Sequence, residues 1–418
     1  MSTRSLALVL SPLKVTAFRR TWFGSSLAML ADQAFLVSLT WLVLKITGSA
    51  AALGTALAVA SIPGIVLTPL GGMLSDRWSP ITVMASANAA RAALMGTLTL
   101  LVLTDATRIW HVYLLAGGLS ALDALYYPAS MSVTPLLVHR DRLKAANALV
   151  QGVEQISGVL GPALAGLLLA AFGLFFDLGA IAILFLVAAG VFATVARSLP
   201  PTARTADADE AEGAVQEGHT GALAALVQGT RYTWNDPVIR TIMLILIGIN
   251  LAMAGPIYVG GSVLAETRLG GAGAFATLVA VGGVGSLFGA IAAGSSTRIR
   301  RRGIVELVCT AALGIGVGGL AFSPNLFVAG TLAALIGMTA SFLAVINISW
   351  LQERSEPALT GRVMSLAMFS AIALDPISYV LAGVLVEISL TVAFLAAGGL
   401  LLFTALLGAT SRTMRTVD

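Results

Sequence analysis
The stretch Gly71-Gly72-Met73-Leu74-Ser75-Asp76-Arg77 reads as a short loop between two long apolar segments. Gly71 and Gly72 carry no side chain to hold a neighbouring helix away, and Asp76 and Arg77 set opposite charges where apolar chain meets water. Such a pair can be made in one conformation and broken in another. Taken alone, the loop is a polar turn with a charged tip. Its flanks decide its meaning.

Those flanks, Ala50 to Leu74 and Ile81 to Leu103, are each long enough to cross a bilayer, which takes about 20 apolar residues. Four further runs, Trp22 to Leu44, His111 to Val138, Ala145 to Ala171 and Leu174 to Ala196, complete a first group of six. A second six follows in Val238 to Leu264, Ala272 to Ser295, Ile304 to Phe322, Leu326 to Trp350, Val363 to Ile388 and Leu390 to Thr410. Composition agrees, with 57% hydrophobic and 11% charged residues and a mean hydropathy of +0.93, against about 45–50% apolar and about 25% charged in soluble domains. The expectation is an all-α membrane protein of twelve transmembrane helices in two six-helix bundles, residues 1–196 and 237–418, joined by a linker over 197–236.

Basic residues set the orientation. With the N-terminus in the cytoplasm, 20 of the 24 Lys and Arg fall on the inner side, only Lys45, Arg108 and Arg268 fall outside, and Arg91 sits within a span. Both termini are therefore expected in the cytoplasm, and the net charge of +4 reflects this bias and implies no nucleic-acid partner. Ser5 to Leu13 is too short an apolar run for a cleavable signal peptide. In the linker, Pro200 to His219 has almost no large apolar residue and is expected to be mobile, whereas Ala222 to Trp234 alternates in helical fashion, as an amphipathic helix on the membrane surface does. A shift of about 217 positions brings Gly72 onto Gly289, Leu143 near Leu359 and Gly166 onto Gly383, as in a pseudo-symmetric transporter with its substrate site between the halves.

The Thr47-Gly48-Ser49-Ala50 turn, the loop at Gly71 to Arg77, Ala146-Asn147, Gly161-Pro162-Ala163-Leu164-Ala165-Gly166 and Gly361-Arg362-Val363 together resemble the major facilitator superfamily, in its twelve-span drug:proton antiporter branch. The likeness runs the length of the chain and is greatest to the bacterial group of enterobactin exporters, macrolide-efflux proteins and mycobacterial multidrug pumps. It implies that Gly71, Gly72, Asp76 and Arg77 gate the inner side against span eleven, where Arg362 lies, with Gly161 and Pro162 as the exporter motif of span five. The chain departs from the pattern at Trp78-Ser79-Pro80, where the family's loop is usually basic, and at Ser157, where the exporter motif has glycine. It also lacks both the acid of the second-half loop near Gly289 and the Arg that many proton-coupled exporters carry in span four.

Ionisable residues within spans cost roughly 2.5–3.5 kcal/mol each at a helix centre. Asp32 (span one), Arg91 (three), Asp123 (four), Glu154 (five) and Asp375 (eleven) must therefore face water or each other. Asp32 and Asp123 lie on spans that line the central cavity in the family. Asp32, with no cation on its own span, is expected to carry the coupling proton, and Asp123 to serve the substrate or pair with Arg91. Phe35, Trp41, Tyr126, Tyr127, Tyr258, Phe369 and Tyr379 could form a broad lipophilic site, with Asn250 and Asn347 on the second-half wall. Pro63, Pro69, Pro128, Pro162, Pro256 and Pro376 predict kinks.

Other chemistries fall away. No phosphate-binding G-x-x-x-x-G-K-[ST] occurs, and Gly314-Ile315-Gly316-Val317-Gly318-Gly319 lies inside span nine as a packing stretch. His111, His139 and His219 are scattered and Cys309 is alone, so no metal site, cofactor or disulfide is read. The chain is not expected to be an enzyme. The function implied is a monomeric secondary exporter of drug- or siderophore-class molecules in the bacterial inner membrane, driven by protons. The alternatives are a lipid or siderophore facilitator without proton drive, and a non-transporting sensor.

Overall fold
The computed structural model describes residues 10–77, 79–198, 230–296, 301–356 and 359–410. Among these the chain is helical throughout, with no strand. A single 3-10 turn at Ser11–Lys14 precedes α1 (Thr16–Thr47), α2 (Ala50–Arg77), α3 (Pro80–Leu103), α4 (Ile109–Leu137), α5 (Leu143–Phe172) and α6 (Leu174–Ser198). The second series is α7 (Pro237–Leu269), α8 (Ala272–Ser295), α9 (Arg302–Leu320), α10 (Leu326–Arg354), α11 (Thr360–Ile372), α12 (Asp375–Ile388) and α13 (Leu390–Thr410).

Local chemistry sets the boundaries. α1 stops at Gly48, whose φ of 63° suits a residue without Cβ, and Ser49 then caps α2 by accepting the Ala52 N–H at 3.2 Å. Pro80 opens α3 at the one helical position where a missing N–H costs nothing. α5 ends at Gly173, with φ 80°. Asp236 caps α7 by accepting from the Val238 and Ile239 N–H groups.

Two corrections to the sequence reading arise here. The segment Gly71 to Arg77 is the last two turns of α2 and not a loop, because it holds no proline and glycine weakens a helix without forbidding it. Span eleven, still one membrane-length stretch from Leu366 to Ile388, is interrupted at Ala373-Leu374 into α11 and α12, since Pro376 has no N–H to offer the Ile372 carbonyl and its ring crowds that carbonyl, although the backbone of Ala373 and Leu374 stays right-handed. Asp375 thus opens α12 rather than lying midway along one continuous helix.

The chain divides into two compact units, Met1–Thr47 with Val59–Glu212, and Gly48–Ala58 with Gly213–Asp418. In the first, α3 packs on α4 and α6, and α1 on α5 and α6, around Ala28, Ile81, Met84, Ala129 and Phe192. In the second, α8 lies along α10, and α9 against α10 and α13, around Leu313, Val317, Ile336, Phe394 and Leu401. A Cβ at Gly285, Gly289 or Gly337 would run into the facing backbone, so these glycines set the α8–α10 approach. The start of α2 joins the second unit because Gly54 and Gly383 let it lie on the α12 backbone, and the Ser49 hydroxyl donates to Glu387 at 2.5 Å.

The Pro256 kink is repaired from α12. The Gly255 N–H donates to the Ser378 hydroxyl at 2.8 Å and that hydroxyl donates to the Leu251 carbonyl at 2.7 Å, so one serine fills the gap in the helix ladder before the π turn at Pro256–Gly260.

Eleven helical stretches among the described residues are long and apolar enough to cross a membrane. α4 is not among them, for Asp123, its tyrosines, prolines and serines dilute its apolar content. Large apolar side chains point outward all round, among them Leu114, Leu167, Ile315, Phe327 and Leu406. That pattern suits hydrocarbon as the surrounding medium.

Candidate functional site
The most polar point of the first unit is built on α3. Its buried face runs Met84, Asn88, Arg91, Met95 and Leu98, the three-and-four spacing of a helix stripe, so Arg91 is carried inward among apolar neighbours and is 1% exposed. Two carboxylates meet it from other helices. Asp123 on α4 takes a direct ion-paired hydrogen bond from Nη2, and Asp32 on α1 stands 3.6 Å from Nη1. The guanidinium lies 4.5 Å from the Tyr126 ring centre and 5.5 Å from that of Phe185, so its flat faces are covered by rings. Both carboxylates remain partly open, at 39% and 48%, while the cation is closed off.

α5 holds Asp32 in place. A Cβ at Gly161 would sit 3.0 Å from the Leu30 carbonyl and the Ala34 nitrogen, so Gly161 and the adjoining Pro162 press α5 against the turn of α1 that carries Asp32. The cations of α1 itself, Arg19, Arg20 and Lys45, lie toward its ends, as expected from the sequence, but α3 supplies Asp32 with one from outside its own helix, Arg91.

Beside this cluster the first unit holds a cavity of about 370 Å³ between α1, α4 and α5. Trp22, Met29 and Tyr127 give it broad apolar surface, and Asn147, Gln151 and Glu154 give it polar groups on one helix. Ser25 is part of its wall and also receives the Tyr126 hydroxyl at 3.4 Å. The cavity and the charged cluster therefore share a Ser25–Tyr126 link.

A family model of the Major Facilitator Superfamily matches residues 21–374. The chain belongs to that superfamily. It is 25% identical over 367 residues to macrolide efflux protein A of Streptococcus pyogenes, covering 84% of this chain and 86% of that protein. It is 27% identical to the multidrug efflux pump Tap of Mycolicibacterium fortuitum, over 84% and 85% of the two chains. With the enterobactin exporter EntS of Escherichia coli it shares 26% over 405 residues, 96% and 92% of the chains. Among solved structures, the nucleoside transporter NupG superimposes with a TM-score of 0.72 at 14% identity, over 96% of this chain and all of that one. A bacterial homologue of the human lysosomal transporter Spinster gives 0.69 at 12%, over 96% and 95%.

Other superfamily-type positions scatter. Phe35 and Trp41 are half-buried along α1, and the rings over the Arg91 guanidinium are Tyr126 and Phe185 instead. In the second unit Asn250 spends its amide on the Leu246 carbonyl of its own helix, and Tyr258 meets Tyr379 edge-on at 6.4 Å near Asp375. Asn347 is not on a cavity wall. It is 1% exposed and donates to Glu306 Oε1 at 3.0 Å in the α9–α10 seam. The side chains of Asp76, Arg77 and Arg362, and the packing of Gly71 and Gly72, lie outside the described residues, as does the linker over 199–229.

Two buried acids were missed by the sequence reading, Asp177 (0% exposed) and Glu306 (1%). Both are near helix starts, where a charge usually reaches water. Their neighbours held the signal: Leu174, Asp177, Leu178, Ile181 and Phe185 form one buried stripe, and Gly303, Glu306, Leu307, Thr310 and Leu313 another.

Proposed function
We propose that the chain is a proton-coupled secondary exporter that carries lipophilic or amphipathic small molecules out across the bacterial cytoplasmic membrane by alternating access. In this reading twelve spans cross the bilayer and both termini are cytoplasmic. The observation that carries it is one buried guanidinium, Arg91, held between two carboxylates, Asp32 and Asp123, from two other helices. The names of the macrolide, multidrug and enterobactin exporters support the outward direction.

With both acids ionised, the cluster carries one net negative charge, and a single proton makes it neutral. Asp32 is the looser partner at 3.6 Å and takes that proton, while Asp123 keeps Arg91 paired. A neutral cluster can be enclosed at far lower cost than a charged one, so proton loading permits the change of access. Substrate occupies the neighbouring cavity, its apolar body against Trp22, Met29 and Tyr127 and any cationic group toward Glu154. The Ser25–Tyr126 link lets each occupant disturb the other's site. A proton moving inward down 100 mV supplies about 2.3 kcal/mol, enough to concentrate a neutral substrate outward roughly fifty-fold. The inner gate is assigned to Gly71, Gly72, Asp76 and Arg77 with Arg362, and Gly161-Pro162 is the packing point that transmits the motion.

Purified protein in liposomes, an imposed pH gradient and a panel of lipophilic cations, macrolides and catecholate siderophores test the proposal. Substrate movement that follows the gradient and is abolished by a protonophore is expected. Substrate movement indifferent to the gradient would leave a facilitator instead.

A further inference from the structure
At its inner end α1 presents Arg19, Arg20, Trp22 and Phe23 in sequence, and α6 presents Val191 and Thr194 beside them. Together they line a groove of about 600 Å³ on the flank of the first unit. Both arginines are exposed, and none of the ion pairs among the described residues uses either one. Trp22 is fixed by donating its indole N–H to the Leu149 carbonyl at 3.1 Å, and Phe23 is half exposed. Higher up, the seam is closed, since a Cβ at Gly24 would meet the Phe192 ring at 3.0 Å.

The groove thus has two chemistries. Its mouth offers two planar guanidinium forks that pair with no acid among the described residues, the geometry that grips phosphate oxygens in pairs. Its floor and upper wall are tryptophan, phenylalanine and valine, at the level where aromatic rings mark the boundary between headgroups and hydrocarbon. A free phosphate would use only the first, and a neutral lipid only the second. We infer that this groove is a binding site for an anionic phospholipid, its phosphate held by Arg19 and Arg20 and the start of one acyl chain laid along Phe23 and Val191. The site is separate from the charged cluster at Arg91 and does not depend on the export reading. The two are nevertheless neighbours, because the Trp22 ring that walls this groove also lines the inner cavity.

The experiment compares delipidated protein in a neutral maltoside detergent with added phosphatidylglycerol, phosphatidylcholine or inorganic phosphate, read by melting temperature and by native mass spectrometry. Phosphatidylglycerol is expected to bind wild type at least tenfold tighter than phosphatidylcholine and to raise its melting temperature, with inorganic phosphate giving no comparable rise. Arg19→Gln with Arg20→Gln should erase the preference, while Arg142→Gln with Lys144→Gln, the same loss of charge elsewhere, should keep it. Thr194→Trp, which fills the groove without touching its charge, should also block binding and covers the case in which the double variant does not fold. Equal binding of the two lipids, a preference that survives both groove variants, or full stabilisation by inorganic phosphate alone would each overturn the assignment.

Discussion
Asn347 donates its amide to Glu306 at 3.0 Å in the seam between α9 and α10, and neither residue is more than 1% exposed. The other carboxyl oxygen of Glu306 and the amide oxygen of Asn347 have no partner of their own. Polar groups buried this deeply are tolerated only while they satisfy one another. Glu306→Gln keeps an acceptor for Asn347 and should leave the melting temperature nearly unchanged. Glu306→Ala strands the amide and should cost about 1–3 kcal/mol. Equal loss in both variants, measured as unfolding in detergent, would mean that the pair contributes nothing specific.

Arg91 invites a double-mutant cycle. Removing it leaves two carboxylates facing each other without a cation, and because both are partly open the cost should fall below the roughly 3–5 kcal/mol of stranding a fully buried charge. Arg91→Gln should therefore be destabilised, and adding Asp123→Asn should restore part of the loss, because one of the two stranded charges goes with it. If the second substitution makes matters worse, measured as yield of monodisperse protein and as melting temperature, Asp123 is held by something other than Arg91.

Asp236 gives a pH dependence whose sign can be worked out. Burial pushes its carboxyl up, but the Arg354 guanidinium at 2.9 Å and the Val238 and Ile239 N–H groups outweigh this and hold it below the ordinary carboxylate range. A lowered folded-state value means that its stabilisation is complete above the unfolded value of about 3.9 and is lost as pH falls through the lowered range. Wild type should thus exceed Asp236→Asn in stability by a constant margin above about pH 5, and the margin should close below about pH 4. A margin that persists to pH 3 would show that capping, not charge, ties α7 to α10.

What the sequence disclosed, and what it withheld, follows from range. A run such as Leu174 to Ala196 is legible because every residue of a span reports the same solvent, and Pro80, Gly173 and Asp236 mark helix ends through their own backbone chemistry. Membership of a three-helix cluster is different. Arg91, Asp32 and Asp123 could each be singled out as costly, but which of them meet depends on the rotation of α1, α3 and α4 about their axes, and Gly161 sets part of that from a fourth helix. Glu306 and Asp177 lie within about a turn of a helix start, and only the helix face that they share with buried apolar neighbours marks them as enclosed.

Glu154 separates substrate handling from proton handling. It lines the inner cavity between Gln151 and Tyr127 and makes no ion pair among the described residues. Glu154→Gln should weaken binding of lipophilic cations about tenfold while leaving neutral substrates within about twofold, the span of one modest electrostatic contact, about 1.4 kcal/mol. Equal losses for charged and neutral substrates, read by equilibrium binding, would make Glu154 a packing residue.

Asp32→Asn is the decisive variant for coupling. Asparagine has the shape of the protonated acid, so the cluster it leaves, Arg91 with Asp123 alone, is permanently neutral. The change of access should then proceed without a proton, and substrate should still bind, exchange across the membrane and run down its own gradient at a rate near wild type. Accumulation against a gradient should disappear, because no proton is released on the inner side. Asp123→Asn is the comparison. It removes the tighter partner of Arg91 and leaves Asp32 as the sole counter-charge, so a proton taken by Asp32 strands the guanidinium as an unpaired cation and the loaded cluster is costly to enclose. The two variants therefore differ in kind: exchange is mobile and indifferent to protonation for Asp32→Asn, and is slowed by protonation for Asp123→Asn. Proteoliposomes loaded with substrate and measured for both exchange and gradient-driven accumulation distinguish them. If Asp32→Asn still concentrates substrate on an imposed pH gradient at the wild-type rate, Asp32 is a structural partner of Arg91, and the proton must be carried elsewhere.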